Sequence, residues 1–323
     1  MIKAMIQNDI VFILGAGASK PFGYPIGTEL ADIIIHNLEG ARDRFINKSN
    51  EYRFKLFEKL GFSREEIDEF KKALSTSTYD TIDLFLKRRK EFMKIGKCAI
   101  ADAIISCEDE KILSQRNNDN WYRRLFNMIN APSCSDFCKN PISFITFNYD
   151  RSLEQYLYQT LSNAYPTTKD EISSLLKTIP VIHVHGKLGD LPWQTDKNEQ
   201  PYNNGRRNNE IYLGKSAEMI SIPCEKIDID SDSVFSECYK LLERAKKIFI
   251  FGFGYDRDNL DSIKIRNNLD GKSVIGTNIG IDLRRYKEIK DYFREKIFLG
   301  DIERGNVKEF SIIEVLNSSL LYR

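Results

Sequence analysis

Four short stretches carry the side chains and backbone that could do chemistry. They are Gly15-Ala16-Gly17-Ala18-Ser19, Thr146-Phe147-Asn148-Tyr149-Asp150, His183-Val184-His185-Gly186 and Gly252-Phe253-Gly254-Tyr255-Asp256. The first suits a pyrophosphate, because glycines let a backbone approach closely while N–H groups at a helix start face negative charge. A tight turn packing a helix on a strand needs the same residues, so this loop alone decides nothing. In the second, Asn148 could orient a ribose hydroxyl or a water without carrying charge. Asp150 suits either a site carboxylate or the cap of a following helix. In the third, two histidines two apart share a face of a strand. His185, just before a glycine, could act as a base titrating near neutrality. His183 lies deeper and reads as a hydrogen-bonded core histidine, and His36 as incidental. A metal pair would need further ligands close by, which the sequence does not offer, so no metal is expected.

Each of these stretches stands where an apolar run ends. "IVFIL" over 10–14 is continuous, as expected of a strand buried on both faces, and "PISFIT", "TIPVIHV", "KIFIF" and "SVIG" follow suit. Helical patterns separate them, which predicts an α/β fold: a Rossmann-like, mostly parallel sheet with helices on both faces. In such sheets ligands bind at the carboxyl ends of the strands. The boundaries read as 1–40 and 140–323 for the Rossmann-like domain and 41–139 for a large helical insertion. "GTELADIIIHNLEG" predicts a helix from an N-cap at Thr28 to Gly40, although three isoleucines in a row also suit a strand. "YDTIDLFLKRRKEFMKIGKCAIADAII" reads as one amphipathic helix and "WYRRLFNMIN" as another. Residues 190–209 read as a polar surface loop or lid, and "EFSIIEVL" as a last strand.

Composition removes whole classes of function. Among 323 residues, 48 basic and 47 acidic side chains leave a formal charge of +1, which gives no reason to expect direct nucleic-acid or membrane-surface binding. The "LKRRK" run reads as a solvated helix face. No apolar run is long enough to cross a bilayer and the N-terminus has no secretory pattern, so a cytoplasmic protein is expected. Six scattered cysteines lack paired zinc spacing and read as reduced thiols. A nicotinamide-dependent dehydrogenase should carry an acidic residue at the end of a second strand about 20 residues after its glycine loop. That region is predicted to be helix, which sets hydride transfer aside.

Taken in order, the four stretches resemble the sirtuin superfamily, and more closely the sirtuin-like domains of bacterial anti-phage systems such as Thoeris. Gly15 to Ser19 match the Gly-Ala-Gly-x-Ser loop, Thr146 to Asp150 the Thr-Gln-Asn-Ile-Asp stretch, and His185-Gly186 the catalytic His-Gly. "IFIFGFGYD" echoes the strand leading to Gly-Thr-Ser, and "VIGTNIG" the later strand bearing an Asn, here Asn278. "GASKPFGYPIGTEL" and "YDTIDLFL" are similar to the bacterial defence branch. The resemblance spans residues 10 to about 285.

It implies an NAD-handling site with NAD as substrate. Gly15, Ala16, Gly17, Ala18 and Ser19 would hold the pyrophosphate, and Gly252, Gly254 and Asn278 would lie near the adenosine half. Asn148 would position the ribose or attacking water, His185 would act as base, and Asp150 would orient the nicotinamide side or organise the turn. The paired Cys-x-x-Cys motifs of the protein deacylases are missing after His185-Gly186, and "YPIGTEL" replaces their Asp-Phe-Arg stretch. Those departures point away from deacylation and toward water as acceptor: NAD⁺ hydrolysis by an effector of abortive infection. The resemblance further implies a homo-oligomer or a partner such as a HerA-class ATPase or an Argonaute-type protein. Two alternatives stand beside this reading, an NAD- or ADP-ribose-binding regulatory subunit and a sirtuin-type deacylase or ADP-ribosyltransferase.

Overall fold

The computed structural model describes residues 8–39, 48–195, 200–202, 210–223, 233–303 and 305–318. Strands β1 (Ile10–Leu14), β2 (Ile142–Thr146), β3 (Val181–His183), β4 (Lys247–Phe251), β5 (Ser273–Gly276) and β6 (Ile297–Phe298) form one sheet. Their order is β3-β2-β1-β4-β5-β6 and every pairing is parallel. This is the strand order of doubly wound nucleotide-binding folds, so the chain is α/β with a Rossmann-like sheet. A small antiparallel pair, β7 (Ile302–Glu303) and β8 (Asn306–Val307), follows β6.

Helices α1 (Ala16–Ser19) and α2 (Gly27–Asn37) follow β1. The long connection to β2 supplies α3 (Lys48–Lys59), α4 (Arg64–Ser75), α5 (Ile82–Arg88), α6 (Met93–Ser106), α7 (Glu110–Leu113), α8 (Trp121–Ile129) and α9 (Cys134–Cys138). Between β2 and β3 come α10 (Ser152–Ala164) and α11 (Lys169–Leu176), and between β3 and β4 come α12 (Glu210–Met219) and α13 (Ser233–Arg244). Helix α14 (Arg257–Ser262) follows β4, α15 (Leu283–Tyr292) follows β5, and α16 (Ile312–Asn317) follows β8.

Strands β1, β2 and β4 are buried at every position, which is why they read as unbroken apolar runs rather than alternating ones. Alternation still sorts their side chains between two cores. Phe12 stacks on its in-register neighbours Phe144 and Phe249, with ring centroids 5.2 and 5.3 Å apart. This aromatic face shares one core with Phe57, Phe70, Phe85, Ile100 and Trp121 of the helical insertion. The insertion thus covers one face of the sheet. Val11, Ile13, Ile145, Ile248 and Ile250 face a second core built with α13, α14 and α15.

Several local expectations change. Helix α2 begins at Gly27, with Ile26 and not Thr28 as N-cap, because the Glu29 carboxylate accepts the Ile26 N–H at 3.1 Å. Its three isoleucines are helical, and Gly40 lies outside the described residues. The long helix expected over 79–105 is broken: α5 ends at Arg88, a 3₁₀ turn spans Lys90–Phe92, and α6 starts at Met93. "EFSIIEVL" is a helix, not a strand, because Ser311 and Glu314 cap its first turn reciprocally at 3.2 and 2.7 Å. The sheet ends instead on the two-residue β6. Within the loop expected over 190–209, Leu191, Gln200 and Tyr202 are buried, while 196–199 and 203–209 lie outside the described residues. No helix among the described residues is long and apolar enough to cross a membrane.

Candidate active site at the strand ends

The chain leaves β1 at Gly15 in extended geometry, makes the single turn α1, and tightens into a 3₁₀ turn over Lys20–Phe22. The insertion holds this segment down: the Trp121 indole donates to the Ala18 carbonyl at 2.7 Å, and Phe22 stacks on Tyr122 at 4.0 Å. The small residues serve a close approach between two loops. A Cβ on Gly15 would sit 2.6 Å from Phe253 Cα, and one on Gly17 would sit 2.9 Å from the Gly252 carbonyl oxygen. Gly252 itself has φ of 57° and leaves no room, since its Cβ would lie 2.0 Å from the Ala18 nitrogen. The exits of β1 and β4 therefore touch, at the point where the strand order reverses and such sheets bind their ligands. Three of the expected phosphate-binding amides are already spent. Gly15 N–H donates to Phe251 at 3.0 Å, Gly17 N–H to Gly252 at 2.9 Å, and Ala18 N–H to Gly15 at 2.9 Å.

At the exit of β2, the Asn148 side chain reaches across to this loop. Its Nδ2 donates to the Gly15 carbonyl and to Ser19 Oγ, each at 3.0 Å. A carbonyl can only accept, so the orientation of the carboxamide is fixed and its remaining capacity is acceptance at Oδ1. Ser19 Oγ in turn hydrogen-bonds the Asp150 carboxylate. Asp150 also accepts the Ser152 N–H at 3.0 Å and the Ser152 hydroxyl. Burial pushes its carboxyl above the ordinary range, and these hydrogen bonds pull against that. Asp150 thus organises the turn into α10 and, through Ser19, the pose of Asn148.

The exit of β3 separates the two histidines. The strand ends at His183, and the strict alternation of the strand ends with it. The His183 ring lies 2.9 Å from the Asn148 carbonyl through Nδ1 and 2.9 Å from Glu154 through Nε2, so both nitrogens face acceptors. His185 goes elsewhere. Its ring packs edge-on against Phe147 at 5.5 Å, and its Nε2 lies 3.0 Å from Asn259 Oδ1 on α14. Phe147 also meets Phe253 edge-on at 5.0 Å, which carries an aromatic wall from the β2 exit to the β4 exit. The backbone of His185 is clamped too, with its carbonyl accepting the Ser221 N–H at 2.8 Å. Gly186, at φ of 71°, has no room for a side chain beside the Met219 carbonyl, which explains the His-Gly pair.

The remaining expected residues are placed differently. Gly254 is exposed with open space around its Cα, and its carbonyl accepts from Arg285 at 3.3 Å. The carboxamide of buried Asn278 is spent on the chain itself: Nδ2 donates to Leu299 and Lys308 at 2.7 and 2.8 Å, and Oδ1 accepts the Phe310 N–H at 2.5 Å. It ties β5 to the β6–β8 region. Gly15, Ser19, Asn148 and Asp150 form one hydrogen-bonded group, while His185 packs on Phe147, the chain neighbour of Asn148. Among the described residues no group of three or more His, Cys, Asp or Glu could hold a metal ion. Cys98, Cys107, Cys134, Cys138 and Cys238 are in no disulfide, and Cys224 lies outside the described residues.

Compared with models of known protein families and with curated proteins, the chain matches none.

Two polar residues beside His185 escaped the sequence reading. Asp83, in the first turn of α5, accepts the Tyr149 hydroxyl at 2.7 Å and interacts electrostatically with His185. Its carboxyl is raised by burial, with the Tyr149 hydrogen bond and the His185 charge acting in the opposite direction. Asn259 was hidden in a polar stretch read as an exit loop. The "YDTID" segment was the available signal for Asp83; nothing in the spacing of "YDRDNL" singles out Asn259.

Proposed function

We propose that this protein hydrolyses NAD⁺ to ADP-ribose and nicotinamide. The observation that carries the reading is the locked carboxamide of Asn148. Ser19 and the Gly15 carbonyl consume its N–H groups, so it offers an acceptor at the strand ends, next in the chain to the Phe147 on which the His185 ring packs. An acceptor and a base at neighbouring strand ends suit a substrate that presents a hydroxyl or a water for activation. Nicotinamide leaves NAD⁺ neutral from a cationic pyridinium, so departure needs no general acid, unlike ordinary glycoside cleavage. Asn148 Oδ1 orients the ribose hydroxyl or the attacking water. His185 takes the proton, a contribution of roughly 10²–10⁴-fold in rate. Phe147 and Phe253 keep bulk water from the reacting carbon.

The closed glycine loop adds a condition. For Gly17 or Ala18 to bind a pyrophosphate, their N–H groups must exchange the Gly252 or Gly15 carbonyl for phosphate oxygen. A cell needs such restraint, because free hydrolysis would drain its NAD. The resemblance to sirtuin-like defence domains supports release by self-assembly or by a partner such as a HerA-class ATPase or an Argonaute-type protein. A second reading, a subunit that binds NAD or ADP-ribose without turnover, requires the same exchange of these spent amides.

The deciding experiment measures nicotinamide and ADP-ribose release from NAD⁺ by purified protein, alongside Asn148→Ala and His185→Ala, with binding titrated in parallel. Release by wild type that both substitutions abolish supports the hydrolase. Binding without release supports the second reading, and absence of binding overturns both.

A further inference from the structure

A histidine base works only if its basic nitrogen is the right one, and the partner of the other nitrogen decides which that is. His185 Nε2 lies 3.0 Å from Asn259 Oδ1, a pure acceptor. Asn259 is itself set in place at the start of α14. Its N–H donates to the Asp256 carboxylate at 2.9 Å, and its carbonyl accepts the Ser262 hydroxyl at 2.7 Å. Helix α14 is tied in turn to α5 by the Lys87–Asp258 ion pair at 2.9 Å.

We propose that Asn259 is a positioning residue for His185: by accepting the Nε2 proton it holds the ring in one tautomer and makes Nδ1 the basic atom. The proposal rests on the hydrolase reading for its catalytic consequence, but its physical content is a tautomer that can be observed without turnover. Once Nδ1 has taken a proton from water or from a ribose hydroxyl, the imidazolium keeps its Nε2–H on Asn259 and is stabilised by the Asp83 carboxylate. No proton needs to move within the ring. Reversing the Asn259 amide would give the opposite result, with Nδ2 donating to a bare Nε2 and the ring proton on Nδ1.

The test is nitrogen NMR of protein labelled at histidine, where a bare and a protonated ring nitrogen have well-separated shifts. The chain has only His36, His183 and His185, so His185→Gln assigns the signal directly. Above neutral pH, His185 is expected to show a bare Nδ1 and a protonated Nε2. Asn259→Ala is expected to erase that preference. Asn259→Asp, which keeps an acceptor facing Nε2, is expected to retain it. In turnover, Asn259→Ala should lower kcat by at least about tenfold and by no more than the roughly 10²–10⁴-fold a general base supplies, with KM little changed. Asn259→Asp should recover most of that loss. A protonated Nδ1 in the wild type, or nitrogen shifts unaffected by Asn259→Ala in a folded protein, overturns the proposal. The expected shifts in a protein that never turns over NAD⁺ would sink the hydrolase reading and leave the positioning role standing.

Discussion

The indole of Trp121 donates to the carbonyl of Ala18 at 2.7 Å, although 103 residues separate them in the chain. One residue belongs to the helical insertion and the other to the loop on which the candidate site is built. Trp121 is fully buried and meets Phe251 at the end of β4 edge-on at 5.6 Å. The insertion therefore sets the shape of the β1 exit.

Trp121→Phe keeps an aromatic ring but leaves the Ala18 carbonyl without its donor. The expected cost is about 1–3 kcal/mol from the unsatisfied buried group. Trp121→Ala should cost ~3–5 kcal/mol because it also opens a cavity. Denaturant unfolding measures both. A loss for Trp121→Phe no larger than that of a surface substitution would contradict the role given to this hydrogen bond.

The two glycines of the β4 exit should respond very differently to alanine. Gly252→Ala forces a Cβ to within 2.0 Å of the Ala18 nitrogen at φ of 57°, and so prises the two loops apart. Backbone strain alone costs of order 1–3 kcal/mol there, and the collision adds to it. Gly254→Ala meets nothing within 4 Å and should change stability by no more than about 0.5 kcal/mol. Paired thermal melts, with NAD binding measured on the same samples, separate loop packing from ligand contact. If Gly254→Ala abolishes binding in a stable protein, Gly254 touches the ligand.

Much of this architecture was readable because burial on two faces leaves an unmistakable trace. Ile10–Leu14 and Lys247–Phe251 lie mid-sheet, and their apolar runs predicted them closely. Strand β6 left no trace, since two residues at a sheet edge carry no period. "SIIEVL" misled because four apolar residues in a stretch of six suit either structure, and the Ser311–Glu314 cap decided it. At the site, Asn148 and His185 were visible as polar residues closing apolar strands. Their partners were not, because Asp83 comes from the insertion and Asn259 from α14, both far from His185 in the chain, and they meet it only once the chain is folded. The glycine loop could be read two ways, and the structure adds a packing role that spacing alone could not reveal: Gly15 and Gly17 admit the backbone of Gly252 and Phe253.

Beneath the site, Arg151 and Glu108 form a fully buried ion pair, with Arg151 Nη2 and Nε at 2.7 and 3.0 Å from Glu108 Oε1. Arg151 Nη1 also donates to the Gln200 carbonyl at 2.7 Å, fastening the segment after β3. Arg151→Met takes the ion-pair partner from the buried Glu108 carboxylate and should cost about 3–5 kcal/mol. The double substitution Arg151→Met, Glu108→Leu removes both charges and should recover a large part of that loss. A double-mutant cycle in urea checks this, and simple additivity of the two losses would refute the coupling.

The pair behind His183 predicts how stability changes in acid. Burial pushes the Glu154 carboxyl up, but the His183 ring at 2.9 Å, its hydrogen bond and the Lys187 charge together outweigh this and hold it at about 2. The folded value thus lies below the ordinary one of 4.5, so the folded state binds the proton more weakly than the unfolded chain. Stability from this group is fully present above about pH 4.5 and is lost as the pH falls toward 2, a contribution on the order of 3 kcal/mol. Asp150 acts in the opposite sense: burial raises its carboxyl, so its contribution is greatest in acid and declines as the pH rises through its folded value. Glu154→Gln is expected to be much less stable than wild type at pH 7 and to approach it between pH 4.5 and 2. Unfolding curves for the two proteins across that range provide the check. A stability gap that stays constant with pH would mean that the Glu154 charge is not what His183 and Lys187 hold.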